Sequence, residues 1–153
     1  MHANGSGLAR LHPWSMRVTS GAGPLSILLV DDERRLRQTI ARSLSARGYH
    51  VDDVETCRDA IEAASTGRYD LMLLDVNLPD ATGWDALREL ASRVHAVPTV
   101  MLSAVPPSAR RVREFRPLGV LHKPFPIDAL LRFVRKVEEG GTGPRHVTDH
   151  EGE

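Results

Sequence analysis

The sequence has a single cysteine, no net charge and no long hydrophobic run, and each of these absences excludes a class of protein. Cys57 alone among 153 residues excludes an internal disulfide framework and a cysteine-rich zinc site, and it fits a reducing compartment. The 20 Lys+Arg and 20 Asp+Glu residues cancel, which leaves no electrostatic footprint for nucleic acid or an anionic membrane surface. We therefore expect no nucleic-acid partner and no membrane partner.

The apolar runs are too short for a membrane span. The longest tight cluster, Leu25–Val30, has the length of a β-strand, whereas a helix needs roughly 18 apolar residues to cross a bilayer. Residues 1–24 also lack the apolar core of a secretory signal. Together these absences predict a cytoplasmic protein.

The two ends of the chain differ from its middle. Residues 1–24 and 140–153 are rich in glycine and polar residues without periodicity, which is typical of a flexible N-terminal extension and C-terminal tail. Residues 25–139 carry the regular pattern and form the one predicted domain.

Within that domain, short apolar runs alternate with segments of helical spacing. Ser26–Val30 is a continuous apolar run of the kind buried on both faces of a parallel sheet, and Glu33–Arg47 follows as an amphipathic helix that Gly48 ends. His50–Val54 is predicted as a strand near a sheet edge, and a helix runs from the cap Thr56 to Gly67. The remaining predicted strands are Leu71–Leu74, Thr99–Leu102 and Val120–His122, and the remaining predicted helices are Trp84–Arg93, Ser108–Phe115 and Ile127–Glu139. This βα pattern, repeated five times, predicts an α/β fold with a doubly wound parallel sheet.

Polar residues follow four of the predicted strands, where such folds carry their functional groups: Asp31 and Asp32, Asp75, Ser103, and Lys123. Clustered carboxylates raise one another's pKa unless a cation intervenes, and carboxylate, carbonyl and water oxygens suit Mg²⁺. A lysine and a hydroxyl complete the groups that stabilise a transferring phosphoryl group. Asp75 is central in the set and is the best-placed nucleophile for an acyl phosphate.

The segments SILLVDDE, LMLLDVNLPDATG, VMLSA and VLHKPF, in this order, strongly resemble the receiver domain of two-component response regulators. The resemblance covers roughly residues 25–139. It implies a flavodoxin-like (βα)5 fold with a five-stranded parallel sheet of order 2-1-3-4-5. It also implies that Asp75 accepts a phosphoryl group from a phosphohistidine on a histidine kinase or histidine phosphotransfer protein.

The same resemblance implies a Mg²⁺ site. Its direct ligands would be Asp32, Asp75 and the backbone carbonyl of Asn77, while Asp31 would act through water. Two further residues, Ser103 and Lys123, would bind the phosphoryl oxygens.

Three features around the lysine complete the comparison with the family. The Lys123–Pro124 peptide bond would be cis. Val120 stands where the family usually carries Tyr or Phe, so the usual aromatic readout of phosphorylation is in doubt. The Pro-rich and Arg-rich stretch before Val120 predicts a short fourth helix with a basic face. That face is either a solvated surface or, with the fifth strand and helix, a docking site for an acidic partner.

We therefore predict a stand-alone, Mg²⁺-dependent phosphoacceptor, a monomer or weak dimer that assists its own phosphorylation and dephosphorylation without being a classical enzyme. Because the patterned region stops near Glu139, output is expected through a partner protein or onward phosphorelay. Two alternatives stay open. A haloacid-dehalogenase-like phosphatase needs a second Asp two residues after the nucleophile, where Asn77 stands, and a phosphorylation-independent interaction module is disfavoured by the complete acidic set but allowed by Val120.

Overall fold

The structure is a computed structural model that describes residues 23–66, 68–93 and 96–140. Strands and helices alternate along it as β1 Ser26–Val30, α1 Arg34–Ala46, β2 His50–Val54, α2 Cys57–Ala64, β3 Leu71–Asp75, α3 Gly83–Arg93, β4 Thr99–Ser103, α4 Ala109–Phe115, β5 Gly119–His122 and α5 Ile127–Glu138. The predicted tails, apart from residues 23, 24 and 140, and the predicted helix end at Gly67 lie outside the described residues.

The five strands form one sheet in the order β2-β1-β3-β4-β5, and every neighbouring pair is parallel. This confirms the predicted α/β class and the strand order 2-1-3-4-5. β2 lies at an edge, as its alternation of apolar and acidic residues predicts, because an edge strand keeps part of its surface in water.

The sheet has a hydrophobic core on each face, and successive strand residues contribute to opposite cores. In β1, Ile27 and Leu29 pack with α1 and α5, whereas Leu28 and Val30 pack with α2 and α3. This alternation follows from the two-residue period of a strand. Because both faces are covered, the central strands are apolar throughout and the polar residues are confined to their ends.

The predicted elements are confirmed, and their ends agree within one residue except that α2 ends at Ala64, before the predicted Gly67. The side chain of Thr56 accepts a hydrogen bond from the Asp59 N–H at 3.0 Å and starts α2. Ser108 caps α4 in the same way, so that helix begins one residue later than predicted. Gly48 has a φ of 94°, a left-handed conformation that ends α1.

Among the described residues, no helix combines the length and apolar character needed to cross a membrane.

Candidate functional site

Four of the sequence-predicted site residues lie together at the carboxyl edge of the sheet. Asp31 directly follows β1, Asp75 and Ser103 are the last residues of β3 and β4, and Lys123 directly follows β5. The first three are almost fully buried, at 0%, 5% and 3% exposure respectively. Such burial is unusual for the carboxylates of Asp31 and Asp75 and indicates that their charges are compensated by partners within the protein.

Lys123 is the cation that joins the two buried carboxylates. Its Nζ lies 2.8 Å from Oδ2 of Asp31 and 3.2 Å from Oδ2 of Asp75, and the exposed carboxylate of Glu33 lies 3.7 Å away. Burial lowers the pKa of Lys123, but the contacts with Asp31 and Asp75 outweigh it and hold this pKa above its ordinary value. The lysine is therefore a fixed positive charge at neutral pH.

Both carboxylate oxygens of Asp75 have partners, which orients the side chain. Oδ2 accepts a hydrogen bond from Lys123, and Oδ1 accepts one from the Asn77 N–H at 3.3 Å. Burial and the neighbouring charge of Asp31 raise the pKa of Asp75, while Lys123 and the Asn77 N–H oppose the rise. Asp75 is thus a more basic carboxylate than a surface aspartate and is held in one orientation.

The acidic residues also fit a divalent cation. Asp31, Asp32 and Asp75 can each offer a carboxylate oxygen, and these oxygens lie within 4.8 Å of one another. Oδ2 of Asp31 is buried and, among the described residues, accepts no hydrogen bond although it is ion-paired with Lys123. A buried carboxylate oxygen that is short of donors, beside an exposed carboxylate open to water, is a donor set suited to Mg²⁺.

The backbone around Asn77 is held close to this cluster. Asn77 forms an isolated antiparallel bridge with Thr82, which closes the loop after β3. The Gly83 N–H donates to the carbonyl of Val76 at 2.7 Å and fastens the loop to the start of α3. Asn77 therefore lies two residues beyond Asp75 in a constrained loop.

Ser103 reaches the same edge, but its hydroxyl is engaged locally. It donates to the carbonyl of Val105 and accepts from the Val105 N–H at 3.2 Å. The side chain of Val105 is 66% exposed, although it is a large apolar group. The structure thus brings Ser103 to the site with its hydroxyl turned to its own loop.

Val120, the predicted atypical position, is half-buried in β5. It is paired in register with Met101 and, like Phe115, packs against the core cluster that includes Trp84. The rings of Trp84 and Phe115 are 5.2 Å apart and connect α3 with α4. The Lys123–Pro124 peptide bond is cis.

The basic residues of the predicted fourth helix are divided between packing and solvent. The guanidinium of Arg111 lies 5.9 Å from the Trp84 ring centroid, whereas Arg110 and Arg113 are exposed. No residue of α4 is buried. This short helix therefore contacts α3 through Arg111 and Phe115 and exposes Arg110 and Arg113 to solvent.

Three residues that support the site were missed by sequence reasoning. Gly83 lies against Asp75 so closely that a Cβ would overlap the Asp75 carbonyl oxygen. Asp80 accepts hydrogen bonds from the Cys57 and Arg58 N–H groups at 2.8 and 3.0 Å, which fastens the loop after β3 to the start of α2. Arg37 of α1 donates to the backbone carbonyl of Asp31 at 2.8 Å.

Little in the sequence signals these three roles. A glycine at the first position of a helix indicates a possible close approach, so Gly83 could have been noticed. Asp80 and Arg37 belong to an Asp-rich turn and an Arg-rich helix, where each resembles an ordinary surface charge. The hydrogen-bond partners of Asp80 are 22 and 23 residues away in the sequence, and no local pattern predicts such contacts.

Comparison with known proteins agrees with this geometry. Residues 27–135 match the family model of the response regulator receiver domain. Transcriptional regulatory protein CusR from Escherichia coli K12 is 34% identical over 120 residues, which cover 76% of this chain and 52% of the relative. Response regulator MprA from Mycolicibacterium vanbaalenii is 34% identical over 114 residues, which cover 73% and 49%. The chain spans about half the length of these relatives.

Solved structures show the same fold. The signal receiver domain of a LuxO repressor protein from Vibrio parahaemolyticus aligns with a TM-score of 0.70 at 25% identity and covers 76% of this chain and 91% of that chain. Response regulator protein TrrA from Thermotoga maritima, solved in complex with Mg²⁺-BeF, aligns with a TM-score of 0.66 at 26% identity and covers 74% and 98%.

Proposed function

Because this chain belongs to the response regulator receiver domain family, a class of signalling domain in two-component systems, we propose that Asp75 is its phosphoacceptor. The observation that carries the proposal is the convergence on Lys123, whose Nζ lies 2.8 Å from Oδ2 of Asp31 and 3.2 Å from Oδ2 of Asp75, although the three residues stand at the ends of different strands. A buried, oriented carboxylate beside a fixed cation is the arrangement that an attacking oxygen requires.

In the proposed reaction, a carboxylate oxygen of Asp75 forms a bond to the phosphorus of a phosphohistidine on a histidine kinase or histidine phosphotransfer protein. The P–N bond breaks, and the imidazole of the partner leaves with the electron pair and takes up a proton. Lys123 remains beside the site and binds a phosphoryl oxygen. Ser103 turns its hydroxyl from the Val105 carbonyl toward the same group.

We propose that Mg²⁺ is held by Asp32, Asp75 and the Asn77 backbone carbonyl, with Asp31 acting through water. When bound, it neutralises charge on the phosphoryl oxygens and on the carboxylates. Two observations support this: carboxylate oxygens of Asp31, Asp32 and Asp75 lie within 4.8 Å of one another, and the buried Oδ2 of Asp31 is ion-paired with Lys123 but accepts no hydrogen bond among the described residues. The relative TrrA was solved with Mg²⁺-BeF, which is consistent with this assignment.

We further propose that the signal leaves this domain through a protein partner or onward phosphorelay rather than through nucleic acid. The face formed by α4, β5 and α5 supports this, because Arg110 and Arg113 are exposed on a helix that buries none of its residues. The zero formal charge of the whole chain gives no general attraction to nucleic acid. An acidic protein surface is the complementary partner.

The phosphoacceptor proposal is tested by incubating the protein with acetyl phosphate and Mg²⁺ and measuring its intact mass. We expect a gain of one phosphoryl group that is labile to hydroxylamine and requires Mg²⁺. The Asp75→Asn variant should show none, whereas Asp128→Asn, at an exposed position on α5, should behave as the unchanged protein.

Intact mass, together with an assay of phosphate release, separates the two alternative functions. Continuous phosphate release from many organic phosphates would support the phosphatase. Absence of any mass gain would support the phosphorylation-independent module.

A further inference from the structure

Arg37 connects the acidic site to the neighbouring edge strand. Its Nη1 donates to the backbone carbonyl of Asp31 at 2.8 Å, and its Nε donates to Oδ2 of Asp53 at 2.7 Å. The carboxylate of Glu55 lies 3.7 Å from the same guanidinium. The side chain of Arg37 is only 12% exposed, so it is held within this corner of the molecule.

These contacts fix the backbone at the position where the acidic residues begin. The Asp31 N–H donates to the Val54 carbonyl at 3.1 Å, which is the last bond joining this segment to β2. The carbonyl of Asp31 points to Arg37 instead, and this carbonyl belongs to the same planar peptide unit as the N–H of Asp32. Holding that peptide plane therefore fixes the Asp32 N–H and Cα, from which the side chain of Asp32 departs.

The positive charge of Arg37 is compensated by two neighbouring carboxylates. An arginine beside an acidic cation site would by itself compete with the cation, since like charges repel. Asp53 pairs with Nε of the guanidinium, and Glu55 lies near Nη1. The planar guanidinium can thus bind a carbonyl and a carboxylate at once, which a lysine ammonium cannot do with the same geometry.

We propose that Arg37 is a positioning residue for the divalent-cation site, acting through the Asp31–Asp32 peptide. This inference rests on the proposed function, because it concerns the Mg²⁺ site of that function. It makes the cation affinity depend on the shape of the Arg37 side chain as well as on its charge.

The test is the Mg²⁺ dissociation constant of the full chain, measured by isothermal titration calorimetry, for the unchanged protein, Arg37→Lys and Arg37→Gln. Both substitutions should weaken Mg²⁺ binding about tenfold or more, the size typical of lost outer-shell partners of metal ligands. Arg42→Gln, an exposed position on the same helix, should leave the affinity unchanged.

The outcomes separate shape from charge. If Arg37 acts only through its charge, Arg37→Lys will bind Mg²⁺ like the unchanged protein and Arg37→Gln will bind it more tightly, and either result overturns the inference. Circular dichroism without Mg²⁺ checks that each variant is folded. If Arg37→Gln does not fold, the Arg37→Lys variant, which keeps the charge and an aliphatic stem, decides alone.

Failure of the proposed function gives a different result. An unchanged protein that does not bind Mg²⁺ contradicts the proposed function. An unchanged protein that binds Mg²⁺ while Arg37→Lys binds it equally well contradicts only the role of Arg37.

Discussion

Lys123 and Asp31 form an ion pair of 2.8 Å between Nζ and Oδ2, although the strands they follow, β5 and β1, are separated in the sheet by β3 and β4. The lysine reaches across the carboxyl edge of the sheet and passes Asp75, which it contacts at 3.2 Å. Asp31 is completely buried, whereas the Lys123 side chain keeps 16% of its exposure. The ion pair therefore connects the carboxyl ends of β1 and β5 across the two strands between them.

We expect Lys123→Met to destabilise the protein in the absence of divalent cations. The substitution leaves Asp31 buried without its cation and next to Asp75, which costs about 2 kcal/mol in the free energy of unfolding once the partial exposure of Lys123 is allowed for. Urea unfolding measures this loss. The matched control is Lys136→Met on α5, the other lysine of the chain.

Added Mg²⁺ should reduce the difference between Lys123→Met and the unchanged protein, because the cation then neutralises the same carboxylates. Equal stability of the two proteins without Mg²⁺ would show that water rather than Lys123 satisfies Asp31.

Gly83→Ala tests the close contact between α3 and β3. A Cβ at this position would overlap the Asp75 carbonyl oxygen and would lie 3.1 Å from Cγ of Leu74. We expect a loss of about 1–3 kcal/mol in the free energy of unfolding, the usual range for overpacking, together with slower phosphorylation because Asp75 is displaced. Thermal unfolding and the rate of mass gain with acetyl phosphate measure the two effects.

Gly48→Ala is the matched control for that prediction. No atom lies within 4 Å of the position where its Cβ would stand, but its φ of +94° strains any other residue. We expect a loss of about 1 kcal/mol in stability and an unchanged rate of phosphorylation for the folded protein. A similar loss of rate in both variants would contradict a local role for Gly83.

Asp80→Ala should weaken the attachment of the loop after β3 to α2. The variant loses the acceptors for the Cys57 and Arg58 N–H groups, and lost helix caps cost about 1 kcal/mol. Asp59→Ala removes an acidic charge from the first turn of the same helix, so it controls for charge alone.

The effect of Asp80 should depend on pH with a definite sign. Desolvation raises the pKa of Asp80, but the hydrogen bonds from Cys57 and Arg58 outweigh it and hold this pKa below its ordinary value of 3.8. The folded state therefore favours the ionised form, and its stabilisation is fully present above pH 3.8 and disappears as the pH falls through the lower folded pKa. Urea unfolding at neutral and acidic pH should show Asp80→Ala and the unchanged protein converging in acid. A constant difference would assign the loss to packing.

Much of the candidate site could be predicted because its residues follow apolar strands. In a parallel sheet with both faces covered, polar side chains are excluded from the strands and collect at their ends. Asp31, Asp75 and Ser103 obey this rule, and the structure places all three at one edge. The order of the strands came from family resemblance, because periodicity identifies strands but does not say which of them are neighbours.

The partners of these side chains could not be predicted in the same way. Arg37 and Asp80 are charged residues in charged surroundings, and their roles depend on backbone groups of elements that fold against them. The hydroxyl of Ser103 bonds to Val105 rather than pointing into the acidic cluster, which depends on the shape of the loop after β4.

The sequence by itself thus determined the alternation of strands and helices, the edge position of β2 and the end of the strands at which the charged groups collect. These follow from local periodicity and from the exclusion of polar groups from a covered sheet. Only the tertiary structure decided that Lys123 pairs with Asp31, that Arg37 holds the peptide before Asp32 and that Gly83 lies against Asp75. Each of these is a contact between segments distant in the chain, and its geometry exists only when the sheet and its helices have packed.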